Sequence, residues 1–140
     1  MFRTTFEFKV RWADTDAAGI VYFPNFYKWI DHATHDIFTE IGFPASQLRD
    51  EQKIGWPLLE THCEFKTPAY FEDEIRLETQ IVEVRDKVFR MTHEFYRGDT
   101  LLAHGHTVRA WTSFAQEKPK AVSIPEHIRE IFTGSKTFAG

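Results

Sequence analysis

A chain of 140 residues with a formal net charge of -4 and no Lys/Arg run longer than two is a poor nucleic-acid binder, and its length suits one domain with a real core. Its only cysteine, Cys63, excludes an internal disulfide and a cysteine-built zinc site, and it fits a reducing cytoplasm. No stretch approaches the ~20 apolar residues of a membrane span, Met1 to Glu7 has no apolar signal core, and an aromatic fraction of 16% points to a thick core, an interface or a ring-lined pocket.

Phe2, Thr4, Phe6, Phe8, Val10 and Trp12 alternate with Arg3, Thr5, Glu7, Lys9 and Arg11. That period of two predicts a strand with one buried face, stopping at an Asp-rich loop. Phe26, Ile30, Ala33, Ile37 and Ile41 then recur at helical spacing, with Trp29 and Phe38 widening the stripe. One long amphipathic helix is expected from Pro24 to Ile41, with Pro24 in its first turn, Gly42 as its C-terminal cap and Pro44 just beyond. Asp31, His32, Thr34, His35 and Asp36 fall on its other faces.

Pro44 to Pro57 reads as an irregular connection with a helical turn around Ser46 to Glu51. Four strands follow: Leu58 to Lys66, Ile75 to Ile81, Val88 to Tyr96 and Leu101 to Phe114, the last with a bulge or bend expected at Gly105. Arg85-Asp86-Lys87 and Arg97-Gly98-Asp99-Thr100 suit hairpins, so the sheet should be mostly antiparallel. A short helix from Pro125 to Phe132 closes the pattern, and the tail from Gly134 is expected to fray. A single long apolar helix must be covered by that sheet, which makes a two-layer α+β domain.

The loop before the long helix carries Asp14 and Asp16. A carboxylate beside free backbone N–H groups at a helix start can act as base or nucleophile while the N–H groups hold an oxyanion. Asp16 could equally cap a turn or the helix, and Asp14 reads as a loop brace. Two carboxylates are a thin ligand set for a cation. Asp31 and His35, four apart, share a helix face and suit a surface ion pair. The pairs His32/His35 and His104/His106 lack an evident third ligand, so solvated or packed histidines are expected rather than a metal site. Cys63 shares a strand face with Phe65, so its expected state is burial.

The run Asp14-Thr15-Asp16-Ala17-Ala18-Gly19-Ile20-Val21-Tyr22, then Pro24-Asn25-Phe26 and Trp29-Ile30-Asp31, resembles the hotdog-fold acyl-CoA thioesterases, in particular the 4-hydroxybenzoyl-CoA thioesterase group. Phe65-Lys66-Thr67-Pro68-Ala69 and Asp73-Glu74-Ile75 match as well, and the resemblance covers about Phe6 to Phe114. It implies one hotdog domain over residues 1–140, a long central helix wrapped by a mostly antiparallel five-stranded sheet. It also implies a catalytic carboxylate at Asp16 and an oxyanion-holding N–H at Phe23. Phe23 stands where the short-chain branch has a histidine, which leans toward an aromatic acyl group. Substrate contacts are implied at Tyr22, Pro24, Asn25 and Asp31, the last at the acyl end, and contacts to CoA at Arg85 and Lys87, with Asp86 interrupting that basic pair. The implied protein is a homo-oligomer, dimer or tetramer, with its site between subunits and no metal or other cofactor. A carrier-protein thioester, a short aliphatic acyl-CoA, or acyl-CoA binding without turnover are the alternatives.

Overall fold

The first strand, β1 (Arg3–Lys9), alternates as expected, with Thr4, Phe6 and Phe8 turned toward the core and the intervening residues exposed. It ends earlier than the alternation suggests. Val10 is buried, but Trp12 lies in a 3-10 turn (Trp12–Asp14) and is 74% exposed, its ring edge-on to Phe71. The strand stops because the backbone must curl so that the Asp14 carboxylate can accept the Arg11 N–H at 2.8 Å.

The computed structural model describes residues 1–134; beyond Gly134, the tail expected to fray lies outside the described residues. The central helix α1 (Pro24–Glu40) begins at Pro24 and closes near Gly42, as its pattern requires. It buries Phe26, Trp29, Ile30, Ala33, Ile37 and Phe38. Thr34, expected on an outer face, is fully buried; its hydroxyl donates back to Ile30 O at 2.9 Å, which lets a threonine sit in the apolar stripe.

After α1 come a helical turn α2 (Ala45–Gln47) continuing into a π-helical turn (Leu48–Gln52), then β2 (Ile54–Gly55), β3 (Leu58–Phe65), β4 (Glu74–Val84), β5 (Val88–Arg97), β6 (Thr100–Ala110), β7 (Thr112–Ser113), β8 (Lys120–Ala121) and α3 (Glu126–Thr133). The main sheet has the order β1-β4-β5-β6-β3, every pairing antiparallel. The expected strand Leu101 to Phe114 is broken at Trp111. Its last residues, as β7, join β2 and β8 in a small second sheet whose two-residue strands are too short to show alternation.

Gly105 is neither bulge nor bend. It pairs in register with Cys63 and His93, and the shifts of register lie elsewhere. A Cβ there would collide with His62 O and sit 2.9 Å from Cys63 Cα, so a glycine is needed where β3 crosses closely over β6.

One face of the sheet packs on α1 in two apolar clusters. Phe26, Trp29, Leu77 and Phe95 belong to the first; Phe38, Ile81, Met91 and Phe132 belong to the second. Thr79, His93 and Thr107 share that face and are buried. Each ring nitrogen of His93 lies 2.9 Å from one threonine hydroxyl, so the imidazole is satisfied at both ends. Strand β3 differs from its neighbours: it is an edge and is exposed along nearly its whole length, with Leu58, Leu59 and Phe65 open.

Candidate active site

The loop between β1 and α1 is held almost entirely by its own backbone. Thr15 bridges Val21, Asp16 N donates to Ile20 O, and Gly19 N donates to Asp16 O, both at 2.9 Å. Gly19 has φ +82°, a left-handed conformation that lets four residues reverse the chain. Val21 N donates to Ala69 O, which ties the loop to the segment before β4.

Asp14 is the brace. Besides accepting from Arg11, its carboxylate lies 3.7 Å from Lys28 Nζ, and its carbonyl accepts from Tyr22 N at 2.9 Å and Asn25 Nδ2 at 2.8 Å. Buried with four partners, it fixes the loop against the first turn of α1. Asp16 is half-buried, and one of its carboxylate oxygens accepts the Ala18 N–H at 2.9 Å. Among the described residues nothing else engages that carboxylate, so its second oxygen has acceptor capacity left.

The backbone donors around the helix start are spent unequally. Tyr22 N goes to Asp14 O, Asn25 N to Tyr22 O and Phe26 N to Phe23 O. Pro24 has no N–H. The Phe23 N–H alone in this run from Tyr22 to Phe26 has no hydrogen-bond partner among the described residues, and Phe23 is 57% exposed. An open N–H at a helix start is what an oxyanion needs. Tyr22 is exposed beside it, its ring edge-on to Phe23, whereas the Asn25 side-chain N–H is already committed to the brace. Phe26 and Phe65 pack edge-on at 5.2 Å and floor this region.

Asp31 sits further along α1 and is half exposed. Its oxygens face His35 Nε2 at 3.7 Å and Arg109 Nη2 at 3.6 Å. Arg109 escaped sequence reading because a lone arginine in a strand looks like a solvated one. The available signal was parity: it shares the register of Ala103, Thr107 and Trp111, which are buried. Beside Arg109 opens a cleft of about 1070 Å³, walled by Ile54, Trp56, Pro57 and Phe114. Burial lowers the pKa of Arg109, and the Asp31 carboxylate opposes that shift.

Arg85 and Lys87 lie in the β4–β5 hairpin, away from the loop. Val10 N donates to Asp73 O, so the Asp16 loop adjoins the start of β4, while the hairpin follows its end. Eleven residues of strand at ~3.3 Å each separate the two by about 35 Å within one chain. Arg85 Nε is also bonded to Glu83 Oε1 at 2.7 Å.

Cys63 is only partly buried, not fully as expected, because it lies on the edge strand. Burial, with Glu64 adding, pushes its thiol up to about 11, so it is a poor nucleophile at neutral pH. On the opposite sheet face His106 pairs with Glu60 at 2.9 Å and His104 with Glu64 at 3.3 Å. Among the described residues no three His, Cys, Asp or Glu side chains are arranged to hold a metal ion.

A family model described as the thioesterase-like superfamily matches residues 10–132. The chain belongs to that family. This hotdog thioesterase is 28% identical over 134 residues to the 4-hydroxybenzoyl-CoA thioesterase of Pseudomonas sp. (strain CBS-3), covering 91% of this chain and 95% of that one. A solved gentisyl-coenzyme A thioesterase is similar at 44% identity and a TM-score of 0.82, covering 90% of this chain and 99% of that one. An Asp-to-Asn variant of 4-hydroxybenzoyl CoA thioesterase, complexed with 4-hydroxybenzoyl CoA, superposes with a TM-score of 0.86 at 28% identity, covering 93% and 98%. The thioesterase is thus a thioester hydrolase in class, and among its described residues no helix is long and apolar enough to cross a membrane.

Proposed function

We propose that the protein hydrolyses the thioester of an aromatic, hydroxybenzoyl-like acyl-CoA, with Asp16 as general base or nucleophile. The unpaired Phe23 N–H at the helix start that follows the Asp16 turn supports this reading, because the Tyr22, Asn25 and Phe26 N–H groups are engaged by Asp14 O, Tyr22 O and Phe23 O. In the general-base route Asp16 takes a proton from water as the water oxygen joins the thioester carbon. In the nucleophilic route its own oxygen joins that carbon, and water later releases the acid. In both routes the carbonyl oxygen gains the charge held by Phe23 N–H, the C–S bond breaks and the sulfur leaves as thiolate; it takes back the proton held by Asp16 in the first route and one from solvent in the second, where the later attack of water on the anhydride regenerates the Asp16 carboxylate. The Asp-to-Asn variant that holds substrate among the solved relatives supports an aspartate at the centre of the chemistry.

Tyr22, Pro24, Asn25 and Asp31 would shape the acyl pocket, and Arg85 and Lys87 would hold CoA phosphates. The ~35 Å between hairpin and loop supports a site shared by two copies. A two-fold axis across the open β3 edge would invert one sheet against the other, bringing the partner's hairpin end to this chain's loop end. The thiol carrier is CoA in this reading, as in the named relatives. The test is a panel of aromatic and aliphatic acyl-CoA and acyl-carrier-protein thioesters, assayed for thiol release. Fastest turnover of a hydroxybenzoyl-CoA supports the reading. Preference for aliphatic or carrier-linked acyl groups, or binding without turnover, overturns it.

A further inference from the structure

One turn, residues 68–73, leads into β4 and clasps the Asp16 loop at both ends. At the entrance Glu72 N donates to Val10 O at 3.0 Å, Val10 N donates to Asp73 O at 2.9 Å, and the Phe71 ring meets Trp12. At the exit Val21 N donates to Ala69 O at 2.9 Å. Val10, Val21 and Ala69 are buried in the same apolar cluster. The turn is strained: Glu72 has φ +71°, a left-handed conformation that a glutamate keeps only where its surroundings hold it. Asp73 and Arg97 supply that hold. Asp73 Oδ2 accepts the Tyr70 N–H at 2.8 Å, and Asp73 N donates to Tyr70 O at 3.1 Å. Arg97, the last residue of β5, donates from Nη1 to the same Oδ2 at 2.7 Å and to Pro68 O at 3.2 Å. With side chains 33% and 20% exposed, this pair is better sheltered than Arg85–Glu83 at 73% and 41%.

We propose that Arg97 is a positioning residue for the reaction centre: through Asp73 and Pro68 O it holds the 68–73 turn, and the turn holds Asp16 against the start of α1. Among the described residues no hydrogen bond or ion pair joins Arg97 to Asp16 or Phe23. Its hold runs through the turn to Val10 and Val21, and from Val21 to Thr15 across the bridge that closes the loop. The Asp14 brace fixes the loop from the helix side, and Arg97 fixes it from the sheet side. The property that suffers without it is rate. A carboxylate and an N–H must meet one carbonyl together, and a shift of about 1 Å can cost ~10²-fold. Both Arg97 bonds come from one nitrogen, so a lysine ammonium, with its three donors on one atom, can take over here as it cannot at a two-nitrogen fork. This role rests on the reading of Asp16 as the reacting carboxylate.

The test compares wild type, Arg97→Met, Arg97→Lys and, as a control, Arg76→Met. Arg76 is a β4 arginine that engages Glu78 and Gly98 O and not the turn. One arm measures kcat and KM on the fastest thioester of the acyl-CoA panel, and the other measures hydrogen exchange at single amides. Arg97→Met should lower kcat by roughly 10–100-fold with little change in KM. It should also cut protection of the Asp16 and Val21 amides by ~10-fold or more, while the β4–β5 ladder keeps its own. Arg97→Lys should restore most of both, and Arg76→Met should leave both at wild-type values. Wild-type kcat, or wild-type protection of those two amides, in folded Arg97→Met overturns the proposal. So does protection lost evenly across the ladder, a lysine that fails to rescue, or an equal loss in Arg76→Met. If Asp16→Asn keeps wild-type kcat, or no thioester is cleaved, the reading of Asp16 fails while the exchange arm still decides whether Arg97 holds the loop. Should Arg97→Met not fold, Asp73→Asn, which keeps an acceptor for Tyr70 N–H and loses the charge facing Arg97, decides it by the same two readouts.

Discussion

The Asp14–Val21 loop and the β4–β5 hairpin are both short polar links between apolar elements, yet they are built differently. In the loop most polar groups have a partner a few residues away, while one Asp16 carboxylate oxygen and, just past the loop, the Phe23 amide have none among the described residues. In the hairpin the backbone closes simply, with Arg85 N donating to Val88 O, and the charged side chains face solvent or each other. The loop is cross-linked by its own short-range hydrogen bonds. The hairpin carries exposed charge. Preorganised donors act where charge develops, and exposed cations act mainly on encounter and retention.

The sharpest way to break that contrast is Asp16→Asn. It keeps the shape and the Ala18 bond while removing charge and basicity, so kcat should fall by ~10²–10⁴-fold with fold and assembly retained. Near wild-type kcat in correctly assembled protein would remove Asp16 from the chemistry. The next largest effect isolates the amide. Phe23 has φ -55°, which proline can adopt, so Phe23→Pro removes the N–H that Phe23→Ala keeps. Relative to the alanine variant, kcat should drop by ~10²–10³-fold, the usual loss for one oxyanion donor. Equal rates for the two variants would assign the oxyanion to another donor.

At the hairpin, replacing Arg85 and Lys87 together with Ala should raise KM and flatten the salt dependence of kcat/KM, with little change in kcat. An unchanged KM for CoA substrates would leave the hairpin as a solvated turn, with Arg85 serving only Glu83.

The remaining effect is on stability rather than rate and lies between the two ends, at His93. Burial, then Arg109 and His106, lower its pKa from 6.5 to about 3. Between those values the unfolded chain binds the proton that the folded one refuses. Stability is therefore present in full above pH 6.5 and falls as the pH drops toward 3, by up to ~1.4 kcal/mol per pH unit from this group. Denaturant unfolding across that range should show a shallower slope for His93→Gln, which has no titrating ring. Identical slopes would exclude His93 as the source.

The fold was legible wherever one residue's neighbours in sequence decide its fate. The stripe from Phe26 to Ile41 gave α1 its limits, and the alternation in β4 and β5 put Leu77, Ile81, Met91 and Phe95 inward. The misreadings share a cause: a contact outside the local pattern outweighed it. Trp12 keeps strand parity but is turned out by the Asp14 curl, Gly105 looks like a bend but answers to the β3 backbone, and Thr34 is polar yet satisfied by its own helix. At the site, Asp14 as a brace could be read from the spacing. The burial of Arg109 had a signal in strand parity, but its partners did not, since nothing near it in sequence announces Trp56 or Asp31.

The Thr79–His93–Thr107 row also acts as a ruler. If β5 slid by two residues against β4, its core-facing parity would survive and the apolar pattern would scarcely object. Met91 or Phe95 would then face Thr79, and the imidazole would be sealed against hydrocarbons on that side with its Nδ1 unanswered. Three side chains in a line thus let a nascent sheet reject a mispairing that its grease alone would accept.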